Sequence, residues 1–256
     1  MPHSWDPERY LTYADERGRP FVELLQRVAA NAPGTVVDLG CGPGNLTRLL
    51  AERWPGATVT GLDSSPEMVA RARKDVPSIE FAVADVRAWS PRDPVDVLVS
   101  NAMLQWVTGH LALLPRLLGH VAHGGWLAFQ VPGNFGEPSH TLLGEVSADP
   151  RYAPHLQDLA PNGSHDAATY LGALDGLTAR IDAWETTYLH VLEGADAVFT
   201  WISGTGARPT LAALPAALRA DFEADYKARL RAAYPLRADG TVVMPFRRIF
   251  VVAQRA

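Results

Sequence analysis

A single cysteine, Cys41, stands in 256 residues. One thiol closes no internal disulfide and leaves no partner for a thiolate metal site, so a disulfide scaffold and a cysteine-based zinc fold are both excluded. A basic excess is missing too: 23 Lys and Arg face 28 Asp and Glu, for a formal net charge of −5. A backbone-wide grip on nucleic acid needs clustered Lys and Arg, so the composition argues against that partner, and an anionic ligand would have to be met by a few local arginines. No run approaches the ~20 apolar residues of a membrane span. The first ten residues carry His3, Asp6 and Glu8 where a signal peptide would need a basic start and an apolar run, so a cytoplasmic protein is expected. Internal repeats and low-complexity segments are likewise missing. With 47% hydrophobic residues the chain can bury a full core, and it reads most simply as one domain, 1–256, or a domain with an insertion.

What the sequence does have is a hydrophobic run that ends in a glycine turn, Val36-Val37-Asp38-Leu39-Gly40-Cys41-Gly42-Pro43-Gly44-Asn45. A backbone that passes close to a flat polar ligand needs residues without a Cβ and with access to positive φ. The dinucleotide fingerprint is G-x-G-x-x-G, with the pyrophosphate on a helix N-terminus. Here the spacing is G-x-G-x-G, and Asn45 stands where the third glycine of that fingerprint would be. An acid just before the turn, Asp38, suits a ligand without a pyrophosphate whose cationic amino-acid end can be held by a carboxylate and carbonyls. S-adenosylmethionine is such a ligand. Asp63, about 20 residues beyond the turn, is placed to grip ribose hydroxyls, and Asp85 follows the next apolar run. Each acid alone could be an ordinary helix cap. In this order they converge on one crevice at the carboxyl edge of a parallel sheet.

The element pattern agrees. Short apolar runs at Val36–Leu39, Ala57–Leu62, Ile79–Val83, Val95–Ser100 and Trp126–Val131 read as buried strands. Helical spacing covers Arg19–Ala30 with Pro20 in its first turn, Asn45–Arg53, and a helix opened by Ser64-Ser65-Pro66-Glu67 and running through Arg73. Leu111–Val121 is a further helix, stopped by His123-Gly124-Gly125. Alternating strands and helices predict an α/β fold with a doubly wound, mostly parallel sheet. Arg180–Val191 and Arg247–Gln254 supply the last two of seven strands, and residues 192–244 form an insertion with helical patterns around Ala195–Ile202 and Leu214–Ala233. An insertion that long has a function of its own, here a helical lid, with Gly133–Asn162 as a second lid wall.

The glycine turn, Asp63, Ala84-Asp85-Val86 and the run Val95–Trp106 resemble the motifs of class I S-adenosylmethionine-dependent methyltransferases, a Rossmann-like family. More narrowly, Trp5-Asp6-Pro7, Tyr10-Leu11, Glu16-Arg17, Leu104-Gln105-Trp106, Thr205-Gly206, Arg208-Pro209, Tyr234-Pro235-Leu236 and the ending Phe246–Arg255 resemble the trans-aconitate 2-methyltransferases. The resemblance implies an antiparallel pair at the sheet edge and a cofactor set of Asp38, Gly40, Gly42, Gly44, Asn45, Asp63, Ser64, Asp85, Val86 and Asn101. It also implies a small polycarboxylate as acceptor, methylated on oxygen.

Methyl transfer from a sulfonium is an in-line displacement, so alignment is the main task. A carboxylate is already ionised at pH 7 and needs no general base. The run Ser100-Asn101-Ala102-Met103-Leu104-Gln105-Trp106 lacks the Asn/Asp-Pro-Pro-Tyr/Phe pattern of enzymes that methylate base nitrogens. Gln105 and Trp106 are expected to position the reactants rather than act as acid or base. A polycarboxylate calls for guanidinium forks; Arg17, Arg208 and Arg247 are the candidates, with Arg19 and Arg248 nearby. Tyr10, Tyr188 and Trp201 are expected to close the pocket, and His140 and His165 sit in loops that could reach the substrate. No metal is expected. The alternatives are another small acid or hydroxylated metabolite as acceptor, or, in different chemistry, a nicotinamide-dependent dehydrogenase.

Overall fold

The computed structural model describes residues 14–256. The elements run α1 (Ala14–Gln26), β1 (Thr35–Leu39), α2 (Thr47–Arg53), β2 (Thr58–Asp63), α3 (Pro66–Asp75), β3 (Glu80–Val83), β4 (Val95–Asn101), a 3-10 turn (Leu104–Trp106), α4 (His110–Gly119) and β5 (Val121–Pro132). They continue α5 (Pro138–Ser147), α6 (Ala167–Ala173), β6 (Thr178–Glu193), α7 (Ala197–Ser203), α8 (Arg208–Ala213), α9 (Ala216–Ala233) and β7 (Thr241–Arg255). The seven strands form one sheet in the order β3-β2-β1-β4-β5-β7-β6. No helix among the described residues is long and apolar enough to cross a membrane.

The first five strands are parallel, and β1 and β4 at the centre are buried along nearly their whole length, as strands covered on both faces are. The register pairs Leu39 with both Leu62 and Ser100, and Asp63 with Val83, which levels the carboxyl ends of β1, β2, β3 and β4. The opposite end is tied by Asp96, which accepts from Gly34 N at 2.8 Å and Thr35 N at 2.9 Å. The chain order reverses between β1 and β4, the place where ligands of open α/β sheets bind. The last two strands are antiparallel. Ala256 N donates to Leu177 O and Gly194 N to Gly240 O, so the end of β7 meets the start of β6 and the reverse. The α/β, doubly wound, mostly parallel fold expected from the sequence is therefore observed.

The chain divides into two compact units. Of the described residues, the first comprises 14–131, Ser164–Glu185 and Arg248–Ala256. Its core joins Leu98, Val37 and Leu39 of the sheet to Leu114, Leu117 and Leu118 of α4, with Phe129 and Tyr170. The second comprises Pro132–Gly163 and Thr186–Arg247. Here the ring of Tyr152 meets Phe222 edge-on at 5.0 Å, and Ser139 is held from both sides, its N donating to Tyr234 Oη at 3.0 Å and its carbonyl accepting from Tyr226 Oη.

Several boundaries depart from the sequence reading. The first helix begins by Ala14, so Pro20 lies inside it rather than in its first turn. The second begins at Thr47, not Asn45, because Thr47 is drawn inward to a buried carboxylate. Ser65, not Ser64, caps α3: its Oγ accepts from Met68 N, while Glu67 accepts from the same hydroxyl. His123-Gly124-Gly125 does not stop α4. That helix ends at Gly119, and the three residues lie within β5, where a Cβ on Gly125 would fall 2.6 Å from Asp96 O. Helices α5, α6 and α8 were not expected, and β6 and β7 each run longer than predicted, leaving 194–240 as the insertion.

Leu98 is fully buried in β4, whereas Leu236 is 53% exposed. Leu98→Ala should cost about 2–5 kcal/mol of stability, and Leu236→Ala at most about 0.5 kcal/mol. Urea denaturation of the two variants reads the difference, and equal midpoints would contradict the core placement.

Candidate active site

The glycine turn, at the end of β1, is tied to the end of β2 and the start of α3. Gly40 N and Cys41 N both donate to Leu62 O, at 2.7 and 3.0 Å, which folds the turn over the end of β2. Gly42 N then donates to Asp63 Oδ2 at 2.9 Å, and Asp63 Oδ1 accepts from Ser65 N at 2.9 Å, so one carboxylate ties the turn to the start of α3. Gly40 and Gly42 have φ of 77° and 56°, a region L side chains avoid. Space separates the two. A Cβ on Gly40 would lie 2.3 Å from Met103 Cγ, whereas one on Gly42 would meet nothing within 4 Å. Gly42 thus faces open space, which leaves room for a ligand to approach the backbone of the turn.

Asp38 is 2% exposed, and its Oδ2 accepts from Thr47 Oγ1 at 2.7 Å. Burial pushes its carboxyl up to about 7, the charge of Asp63 adds to this, and the Thr47 hydrogen bond opposes it. Burial also raises Asp63, against the pull of its backbone donors, and drives the Cys41 thiol far above its ordinary value. A cation brought to this turn would relieve both acids. Asp85, beyond β3, accepts from Arg87 N, Nε and Nη2 and is held below its ordinary value by that side chain. Val86 beside it is buried, Ser64 is exposed, and Asn45 is half-buried in the turn ahead of α2.

At the end of β4, Asn101 Oδ1 accepts from Gln130 Nε2 at 2.9 Å. Ala102 follows with a φ of 54°, a left-handed conformation that costs an L residue about 1–2 kcal/mol. It is held by Ala102 N donating to Gln130 O at 2.9 Å and by Gln105 Nε2 donating to Ala102 O at 2.5 Å. Gln105 is buried, and its Oε1 has no partner among the described residues. Trp106 beside it is half-buried. Gln130, Met103 and Ala102 were not singled out by sequence reasoning; a non-glycine at positive φ carries no sequence signal.

The remaining candidates divide between the two units. Tyr10 lies outside the described residues, as does the side chain of Arg17. Tyr188 and Trp201 belong to the second unit and are buried. The Trp201 ring stacks on His190 at 4.5 Å and meets Phe246 at 5.7 Å, an aromatic core. Arg208 opens α8, and Arg247 donates through Nε and Nη2 to Gly133 O at 2.9 and 2.6 Å. His140 lies in α5 and not in a loop, with its Nε2 3.0 Å from where a Cβ of Gly206 would be, and burial lowers it to about 4, so it is neutral at pH 7. His165 instead belongs to the first unit, where its backbone N donates to Tyr170 Oη at 3.1 Å. No cluster of metal-ligating side chains occurs among the described residues.

Asp38 gives the site a pH signature. Its pKa rises on folding from the ordinary 3.8 to about 7, so the folded state takes up a proton in that window and loses stability as pH climbs through it. Asp38→Asn is neutral throughout, and urea midpoints of the cofactor-free variant should decline less between about pH 4 and 7 than those of the parent. An unchanged slope would show that Asp38 is not the group responsible.

Residues 36–125 match the family model described as a methyltransferase domain. The chain is 51% identical to a trans-aconitate 2-methyltransferase of Streptomyces avermitilis, the match covering 98% of this chain and 97% of that protein. It is also 51% identical to one of Mycolicibacterium gilvum, covering 98% of each. Among solved structures, the YcgJ protein of Bacillus subtilis superposes with a TM-score of 0.62 at 12% identity, covering 93% of this chain and 98% of that one. At that identity the likeness is one of fold alone.

Proposed function

The chain belongs to the trans-aconitate 2-methyltransferase family, and from that premise we propose that it esterifies one carboxylate of trans-aconitate, giving the monomethyl ester. It is an S-adenosylmethionine-dependent methyltransferase. The observation that carries the acceptor reading is the likeness at about half identity over nearly the whole chain to relatives bearing that name. The nicotinamide-dependent reading falls with the family membership, in keeping with Asn45 in place of the third glycine.

S-adenosylmethionine supplies a methyl group on a sulfonium. The turn at Gly40–Gly44, with Asp38, Asp63, Ser64, Asp85, Val86 and Asn101, is the set we assign to hold it, Gly42 giving backbone access and the two raised carboxyls favouring a cationic end. Gln105 and Trp106 orient the acceptor. No side chain has to remove a proton, because a carboxylate is ionised at pH 7. Opposite charges vanish as the methyl group moves, so exclusion of water helps.

An arginine fork on the reacting carboxylate would draw off its charge and weaken it as a nucleophile. We therefore assign Arg208 and Arg247, with Tyr188 and Trp201, to the other carboxylates, and the insertion, 194–240, to acceptor binding. The Gly133 carbonyl fixes the Arg247 fork. The partner is a small polycarboxylate rather than nucleic acid or membrane, and the setting is the cytoplasm.

Incubation with methyl-labelled cofactor and trans-aconitate should yield a labelled ester; none above background would sink the acceptor assignment while leaving the cofactor intact. Arg208→Ala should raise KM for the acid by about tenfold or more, with the affinity for S-adenosylhomocysteine nearly unchanged. Asp63→Ala should do the reverse. Equal loss of both parameters in Arg208→Ala would count against a direct clamp.

A further inference from the structure

Three buried polar side chains cross three neighbouring strands. Arg248 of β7, Gln130 of β5 and Asn101 of β4 are 6%, 1% and 9% exposed. Arg248 Nη1 lies 3.5 Å from Gln130 Oε1, and Gln130 Nε2 donates to Asn101 Oδ1 at 2.9 Å. A carboxamide by itself can be turned either way, because its oxygen and nitrogen have the same shape. Here one end removes the choice. A guanidinium carries only donors, so Gln130 turns its oxygen to Arg248 and its NH2 to Asn101. Asn101 must answer with oxygen, and its own NH2 is what remains at the carboxyl end of β4.

The backbone supports the same arrangement. Gln130 O accepts from Ala102 N, and Gln105 Nε2 donates to Ala102 O, so the left-handed Ala102 is held from two sides. Strained residues persist where the surroundings over-determine them, and they concentrate at functional sites. The strain here adjoins the Asn101 amide.

We propose that Arg248 and Gln130 are positioning residues that set the hydrogen-bonding polarity of Asn101, so that it offers two N–H donors to a carboxylate of the bound reactants. This rests on the assignment of Asn101 to the methyltransferase site. Two carboxylates fit the chemistry: that of the cofactor's amino-acid end and one of the acceptor acid. Hydrogen bonds to a charged group are worth enough to read as a tenfold change or more when the donor is replaced by an acceptor.

Reversal of the polarity tests this. Gln130→Glu keeps the size and still satisfies Arg248, but a carboxylate only accepts, so Asn101 has to turn its NH2 inward and present oxygen outward. The dissociation constant of S-adenosylhomocysteine, or KM for trans-aconitate, should rise by about tenfold or more while the melting temperature stays close to that of the parent. A rise in the first identifies the cofactor's carboxylate, and a rise in the second the acid's. In an Asn101→Ala background the same Gln130→Glu change should move neither. Unchanged constants in the single variant, or an equal shift in the Asn101→Ala background, would overturn the proposal. Should Gln130→Glu not fold, Asn101→Asp retains the bond from Gln130 and replaces the donors by an oxygen; it must shift the same constant, and no shift overturns the proposal. If the parent turns over no trans-aconitate, the acceptor reading fails by itself, and the S-adenosylhomocysteine constant alone decides the polarity proposal.

Discussion

The carbonyl oxygen of Leu62 accepts two backbone N–H groups, those of Gly40 and Cys41, and much of the first unit follows from that shared acceptor. It fastens the end of β1 to the end of β2 and forces the chain to turn with Gly40 at positive φ against Met103. The turn in turn leaves Gly42 facing Asp63, whose second oxygen holds the first residue of the α3 cap. A carboxylate that binds backbone on both sides is fixed in place before any ligand arrives. Preorganisation of this kind lowers the ordering cost of binding. The price is two acids, Asp38 and Asp63, kept in poorly solvated surroundings, where both are pushed above their ordinary pKa.

The parts of this arrangement that were legible in the sequence are those with short-range signals. Apolar runs bounded by turn residues gave four of the five parallel strands to within a residue or two, because a short apolar run between turn residues suits a strand. The G-x-G-x-G spacing located the turn, and the acids after each strand located its neighbours. Signals failed where a local cue had two meanings. Ser64 and Ser65 both suit a cap, and only the reach of the hydroxyl to Met68 N decides between them. Likewise Gly124-Gly125 suits a helix stop, yet the glycine is needed inside β5, for passage against Asp96. Helix α5 opens on proline and α8 carries one at its second residue, within stretches that read as loop.

The glycine turn and the acids around it were legible in the sequence; the side-chain relay beside them was not. Arg248, Gln130 and Asn101 are separated by 118 and 29 residues, and nothing local marks them as a group. Only the strand order, which sets β7 beside β5 and β5 beside β4, assembles them. Trp201 and Tyr188 are suggested as pocket residues by type, while their stacking on His190 carries no signal in the sequence.

The hydrogen bond from Gly194 N to Gly240 O closes the neck of the insertion between β6 and β7. The ends of a closed segment are fixed independently of what lies between them, and the entropy of closing a loop grows only with the logarithm of its length. Residues 195–239 therefore hang from a closed neck: a change of length within the segment leaves the register of the strand pair that carries it unaltered, provided the bonds of Tyr226 and Tyr234 to Ser139 are kept. How much change that stretch tolerates is then set by its packing on Pro138–Ser147 and not by the hydrogen bonds of the sheet.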